Sequence, residues 1–387
     1  MVTRRQFVST GLSIGAGLAA GSATTLLTGC AHRSQTPVAP ATVSNEITGP
    51  GSLKAHAAAH GLLTGAAVAI PLLRSDSVYA QILVDQYSIV VAENAMKWQA
   101  LRPAPDRFSF GDADELVAFA ERNHIKVRGH NLCWHEALPG WFADTVTKDN
   151  ARQFLTDHIM TVAGHFKGKL HSWDVVNEAI AVKDGRPDGL RKSPWLEFLG
   201  SEYLDIAFQT ARQADPNALL TYNEYGIEYD NEEEGKKRAF TLQLLQRMKA
   251  ANVPLDAVGI QSHIRAGGRA TVGNGIREFI ASARQLGLQV FITELDVNDD
   301  ALPYDDVPQC DKAIAAVYYD YLNTVLANPA VTAVLTWGVS DRNTWLNNPA
   351  RKKEHPNRGQ RPLPFDENYR PAPAFFAMRD SFDQRTV

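Results

Sequence analysis

Leu170-His171-Ser172-Trp173-Asp174-Val175-Val176-Asn177 is a short apolar run that closes on polar residues, and Glu178 follows it at once. Its length and β-branched valines mark a strand. Ahead of it Asn150 to His165 has helical spacing; behind it Glu202 to Ala214 does, before a second short run from Ala218 to Asn223. Strand, helix, strand in that order is a βαβ unit, whose strands lie parallel. Working outward, the same alternation recurs at Ala66 to Ile70, Ile89 to Glu93, Ile125 to Asn131, Ala257 to His263, Val290 to Leu295 and Val331 to Trp337. Helix-length segments between these runs include Asp112 to Asn123, Glu232 to Ala250, Gly275 to Leu286 and Asp311 to Ala327. Eight alternations predict an α/β protein built as a single closed (β/α)8 TIM barrel. The rival, an open doubly wound sheet, carries a Gly-rich phosphate turn after its first strand, and Ala69-Ile70-Pro71-Leu72 is not one. Residues 55–387 exceed the typical ~250 of such a barrel, which places the surplus in long loops after the fourth and eighth strands.

With 44% hydrophobic and 21% charged residues, the 387-residue chain can bury a sizeable core, which excludes wholesale disorder. Lysine and arginine number 39 against 43 acids, a net charge of -4, so no basic footprint invites nucleic acid. Three cysteines, at 30, 133 and 310, form no disulfide framework and match no zinc spacing; Cys133 and Cys310 are expected as buried free thiols. His56 and His60 share a helix face without the acid of a zincin, and no metal or cofactor is expected. Asp299, Asp300, Asp305 and Asp306 read as a solvated loop, and the run Glu232 to Glu234 after Asn231 as a capped helix start.

The N-terminus reads as an address. Arg4-Arg5 precede a mildly apolar, Gly/Ala-rich stretch from Val8 to Leu27, the pattern of a twin-arginine export signal. Leu27-Thr28-Gly29-Cys30 resembles the bacterial lipobox, which makes Cys30 the lipid attachment site and first mature residue. The expected organisation is a signal at 1–29, a lipid-anchored tether at 30–54 with Pro37, Pro40 and Pro50, and a catalytic body at 55–387. The body then touches a membrane surface only through its lipid, at the cell envelope on the periplasmic or outer side, and acts as a monomer.

Chemistry in such barrels sits where strands end. The fourth strand runs into Asn177-Glu178, and the seventh, Phe291-Ile292-Thr293, runs into Glu294-Leu295-Asp296. Two carboxylates facing each other across a barrel mouth push their proton affinities apart, which yields one acid and one nucleophile or base, the pair that glycosidic cleavage needs. The other strand ends add Glu93, Asn94, Lys97 and Trp98; His130, Trp134 and His135; Gln261 and His263; and Trp337 with Trp345. Indole faces suit the C–H face of a pyranose, and the amides, amine and imidazoles suit its hydroxyls.

These blocks together resemble the glycoside hydrolase family 10 endo-1,4-β-xylanases. The matching segments are Ala92 to Trp98, Arg128-Gly129-His130 with Trp134-His135, Trp173 to Ala179, Gly259 to His263, Ile292 to Asp296, and Trp337 to Asp341 with Trp345; Leu363 to Asp366 and Pro371 to Ala374 resemble the family's C-terminal segment. The resemblance implies a retaining double displacement on xylan, with Glu178 as general acid/base and Glu294 as nucleophile, their carboxyls about 5 to 5.5 Å apart. It further implies that Asn177 contacts the 2-hydroxyl of the cleaved sugar, that His263 bonds Glu294, and that His130 lines the same subsite. Glu93, Asn94 and Lys97 then hold the next glycone sugar, Gln261, Trp134, Trp337 and Trp345 shape the wall, and Tyr225 stacks on the aglycone side. Where the family often reads Thr-Leu-Val-Trp-His-Ser-Gln, this chain has Asn131 to Ala137, so a glutamine near the glycone subsites is missing. The loop with Arg351, Lys352, Lys353, Arg358 and Arg361 is either a solvated excursion or a contact for uronic-acid decorations.

The carboxylate pair alone leaves other readings open: a retaining β-1,4-glucanase or mixed-specificity barrel hydrolase, a metal-dependent barrel hydrolase, or a non-catalytic surface polysaccharide-binding lipoprotein. Survival of both glutamates counts against the last.

Overall fold

Alternate residues of the short apolar runs face opposite ways, and this decides the architecture. Ala67, Ile89, Val91, Ala257, Phe291, Ala333 and Leu335 form one buried cluster with Trp337, while their neighbours Val90, Ala92, Val258 and Val334 join a second, larger cluster with the helices. A strand apolar on both faces needs cover on both, which a barrel inside a ring of helices supplies. In the computed structural model, which describes residues 47–268, 271–302, 306–348 and 358–386, the strands are β1 (Leu63–Val68), β2 (Ile89–Ala92), β3 (Lys126–Cys133), β4 (Ser172–Asn177), β5 (Leu219–Glu224), β6 (Ala257–Ile260), the short β7 (His263–Arg265), β8 (Gln289–Asn298) and β9 (Val331–Thr336). All pair in parallel, and the β6–β8 and β1–β9 pairings close eight of them into the barrel; β7 lies on the outer end of β8.

The principal helices are α1 (Leu53–Ala59), α2 (Ser77–Gln86), α3 (Gly111–Arg122), α4 (Ala151–His165), α5 (Glu202–Ala214), α6 (Glu232–Ala250), α7 (Asn274–Gln285), α8 (Val307–Leu326) and α9 (Pro373–Asp383). Asn231 caps α6 by accepting from the Glu234 amide at 2.9 Å, so the three glutamates sit in its first turn as the spacing predicts. The long loops do follow β4 and β9.

Several boundaries differ from expectation. The first strand lies at Leu63–Val68, not Ala66 to Ile70, because Pro71 sits in the first turn of a helical segment that Ile70 opens. The expected strand from Ala257 to His263 breaks after Ile260: Ser262 takes φ 65°, and His263 resumes on β7. The tether cannot extend to residue 54, since Ser52 and Leu53 are fully buried and the Leu53 amide donates to Gln86 Oε1 at 3.0 Å. Asp299 is buried and ion-paired to Arg358, so it does not belong to a solvated loop; Asp300 and Asp306 are exposed as expected, and Asp306 caps α8. Cys133 ends β3 itself, and it and Cys310 are buried thiols, Cys310 Sγ accepting from Arg358 Nη1 at 3.0 Å. The export and lipid signals at 1–30, the tether up to residue 46, Asp305 and the cations Arg351, Lys352 and Lys353 lie outside the described residues. Among the described residues no helix is long and apolar enough to cross a membrane, and no group of His, Cys, Asp and Glu could hold a metal ion.

Candidate active site

Glu178 sits one residue past β4, where the chain leaves the barrel, and Glu294 lies within β8, three strands further round. Both line one cleft of about 360 Å³ at the C-terminal mouth, together with Lys97, His130, Trp134, Asn177, Tyr225, Gln261, His263, Trp337 and Trp345. Two amides join the carboxyls. Asn177 Nδ2 donates to Glu178 Oε1 at 3.2 Å, and Asn223 Nδ2 donates both to Asn177 Oδ1 at 2.9 Å and to Glu294 Oε1 at 2.8 Å. Gln261 Nε2 adds a bond to Glu178 Oε1 at 3.0 Å.

Their environments push the two acids in opposite directions. Burial raises the Glu178 carboxyl above the usual range, assisted by the nearby charges of Glu224 and Glu294 and opposed by the Gln261 bond. Burial acts the same way on Glu294, but the His263 bond, the closeness of the His130 and His263 rings and the Asn223 bond outweigh it and hold that carboxyl below its usual value. His263 is half-buried, and desolvation disfavours its charge, yet Asp296 and Glu294 raise the proton affinity of the ring well above the usual range. Its Nδ1 faces Asp296 Oδ1 at 3.0 Å and its Nε2 faces Glu294 Oε2 at 3.3 Å; a ring that donates from both nitrogens is an imidazolium. Trp345 Nε1 donates to the other Asp296 oxygen at 2.7 Å, which ties this exposed indole to the same chain.

His130 is buried at the base of the cleft, its Nδ1 bonded to Asp174 Oδ2 at 2.9 Å, and Asp174 is also paired with buried Arg128. The Lys97 amine lies 5.5 Å from the Trp134 ring centre and 5.8 Å from that of Trp337, between two indoles. Lys97 Nζ donates to Asn94 Oδ1 at 3.0 Å, and Asn94 Nδ2 to Glu93 Oε1 at 3.3 Å. Glu93 and Asn94 nonetheless line a different cleft, of about 310 Å³, with Ile70 and Pro71, and only the Lys97–Asn94 bond ties them to the cleft of the two glutamates. Tyr225 is half-exposed at the far side.

The sequence reading missed Asn223, Asp296 and Asp174, which orient the named residues, and Glu136, which lines the cleft beside the missing glutamine. Asn223 had a signal: Asn223-Glu224 closes the fifth strand as Asn177-Glu178 closes the fourth. Arg358 and Arg361 of the basic loop are turned inward, to Asp299 and to Asp311 and Glu367, and are not presented to a polymer.

A polar cleft with one carboxyl of raised and one of lowered proton affinity, indoles at its wall and amides along its floor can bind a sugar chain and cleave it by acid and nucleophile. Comparison with known proteins agrees. The glycosyl hydrolase family 10 model matches residues 52–381. Endo-1,4-beta-xylanase B of Thermotoga neapolitana is 34% identical over 309 residues, covering 79% of this chain and 84% of the relative. The crystal structure of native xylanase 10B from Thermotoga maritima superposes with a TM-score of 0.76 at 34% identity, covering 86% of this chain and 98% of that one. Xylanase 10B from Thermotoga petrophila RKU-1, solved in complex with xylobiose, gives 0.76 at 33% identity over 86% and 97% of the two chains.

Proposed function

The chain belongs to glycosyl hydrolase family 10 and is a retaining endo-1,4-β-xylanase, and we propose that its double displacement runs through Glu294 as nucleophile and Glu178 as general acid/base. The observation that carries this assignment is that the Asn177 and Asn223 amides hold two carboxyls in one cleft, where their surroundings shift proton affinity up at Glu178 and down at Glu294.

In the first step ionised Glu294 attacks the anomeric carbon while Glu178 gives its proton to the departing glycosidic oxygen, leaving a covalent glycosyl-enzyme. Glu178, now a carboxylate, then takes a proton from water, which attacks the same carbon from the face the leaving group left. Two inversions restore the anomeric configuration, and Glu178 ends protonated. Asn177, already bonded to Glu178, is the group for the 2-hydroxyl of the sugar under attack, with His130 beside it. Lys97, Asn94 and Glu93 take the next glycone unit, and Tyr225 takes the aglycone.

The experiment is to follow xylan hydrolysis by product length and by anomer-resolved NMR. The β-anomer forms first in wild type; Glu294→Ala leaves the polymer intact. Glu178→Ala loses xylan cleavage yet still forms a glycosyl-enzyme from an aryl xyloside whose phenolate leaves without a proton, and azide restores its turnover. An inverted product, or a Glu294→Ala variant that still cuts xylan, overturns the assignment.

The proposal extends to location: export by the twin-arginine signal and a lipid on Cys30 hold the enzyme at the cell envelope. Labelled fatty acid is then incorporated by wild type and not by Cys30→Ala; equal labelling of both, or of neither, refutes the anchor.

A further inference from the structure

Glu178 has φ 58°, a left-handed conformation that a side chain with a Cβ resists, so something must hold its turn. Three successive amides do, and all three are held by β5. The Glu178 amide donates to Asn223 O at 2.9 Å, that of Ala179 to Tyr222 Oη at 3.1 Å and that of Ile180 to Glu224 Oε2 at 3.1 Å. Tyr222 Oη also donates to the same Glu224 oxygen, so one fully buried carboxylate anchors two of the three.

The other oxygen, Glu224 Oε1, accepts from Lys237 Nζ of α6 at 2.8 Å, an ion pair with both side chains buried. Lys237 Nζ also lies 3.4 Å from the centre of the Tyr225 ring. Tyr225 Oη accepts from Arg191 Nη2 at 3.0 Å, and Arg191 Nε donates to Glu178 O at 2.7 Å. A closed circuit thus runs from the backbone of Glu178 through Arg191, Tyr225, Lys237 and Glu224 back to the same turn.

We propose that Glu224, with Lys237 as its counter-ion, is a positioning residue for the acid/base step, fixing the turn that aims Glu178 and coupling that turn to the aglycone face of Tyr225. This rests on Glu178 being the acid/base. The charged groups that face Glu178 are Glu224 from β5, Glu294 from β8, Lys97 beyond β2 and Arg191 from its own loop. Glu224 in turn faces Lys237, Arg191 and the phenols of Tyr203 and Tyr222. After burial, and against the Gln261 bond, the Glu224 charge is the next influence that keeps the proton on Glu178.

Glu224→Gln keeps the size and an oxygen for Ile180 while removing the charge and leaving Lys237 uncompensated. The basic limb of kcat/KM on xylo-oligosaccharide, which reports loss of the Glu178 proton, moves to lower pH, and the rate at pH 8 falls at least fivefold relative to the rate at pH 5. Glycosylation by the aryl xyloside that needs no proton changes less than twofold at either pH. Glu224→Gln/Lys237→Met, which restores neutrality, returns the limb most of the way to wild type. A limb that stays in place while both substrates slow equally overturns the proposal and leaves Glu224 a packing residue; so does a double variant no different from the single one. If Glu224→Gln fails to fold, Lys237→Met is measured alone: the uncompensated carboxylate moves the limb upward, and an unmoved limb refutes the proposal. Failure of Glu178→Ala to show its own leaving-group dependence removes the acid/base assignment instead, so the two failures are separable.

Discussion

Glu178 and Glu294 are the same side chain with proton affinities shifted in opposite directions, and only their neighbours differ. The raised proton affinity of Glu178 has a cost in stability, because folding moves its carboxyl above the unfolded value of about 4.3. Such a group contributes fully below the unfolded pKa and loses that contribution as pH rises through the folded pKa. Glu178→Gln, which has no proton to lose, is therefore expected to melt above wild type at pH 8 and to converge on it near pH 4; a gap independent of pH contradicts this. For Glu294 the sign reverses. His263→Gln removes a charge-assisted bond of about 1.5–3 kcal/mol, so the acid limb of kcat/KM moves to higher pH and the optimum rate falls about 10- to 100-fold. An unmoved acid limb means that His263 does not set the charge of Glu294. Both glutamates are legible in the sequence because each interrupts an apolar run with a charge, although β8 continues past Glu294 to Asn298. Asp174 and Asp296 are not, since nothing in Trp173-Asp174-Val175 or Glu294-Leu295-Asp296 says that an imidazole from another strand lies against the acid.

Strands place those side chains by register. Asn223 of β5 pairs with Gly259 of β6, which pairs with Phe291 of β8. A Cβ on Gly259 falls 2.2 Å from Asn223 Oδ1 and 2.9 Å from Thr293 Cγ2, so the glycine is what lets the Asn223 amide lie flat between Asn177 and Glu294. Gly259→Ala must rotate that amide and break both bonds. Overpacking of this kind costs about 1–3 kcal/mol of stability, and the expected rate loss is about 100-fold, equivalent to about 2.7 kcal/mol at the upper end of that range, because Glu294 loses a donor and Asn177 its anchor. A rate loss smaller than the stability loss implies means that Asn223 has no such role. The eight strands are legible because β-branched runs alternate with helical spacing. The break at Gln261-Ser262 is not: Ser262 reaches φ 65° because its amide is taken by Glu228 Oε1 at 2.9 Å and its hydroxyl meets Tyr321 Oη at 2.5 Å, both contacts from distant segments. That break matters, because Gln261 on one side reaches Glu178 and His263 on the other reaches Glu294.

At the scale of the molecule, the two ends of the described chain close the ring of helices together. α1 packs on α9, and His56 Nδ1 meets Asp383 Oδ1 at 2.7 Å across them. α9 also packs on α8, with Phe375, Met378 and Phe382 fully buried. The sequence reading placed its boundary at 55, inside α1, because a seven-residue, alanine-rich helix offers little periodicity to read. The structural boundary has a measurable consequence. A chain beginning at residue 47 keeps α1 and is expected to match the full protein in melting temperature and in xylan turnover, since every described contact is retained. One beginning at residue 61 loses Leu53 and Ala57 from beneath α9 and uncovers its apolar face; a buried leucine alone costs about 2–5 kcal/mol. At about 2–4 °C per kcal/mol for a domain somewhat smaller than this one, its melting point drops by about 4 °C or more. Equal melting of the two shortened chains contradicts the clasp, and a drop already present in the first gives residues before 47 a part in holding the barrel.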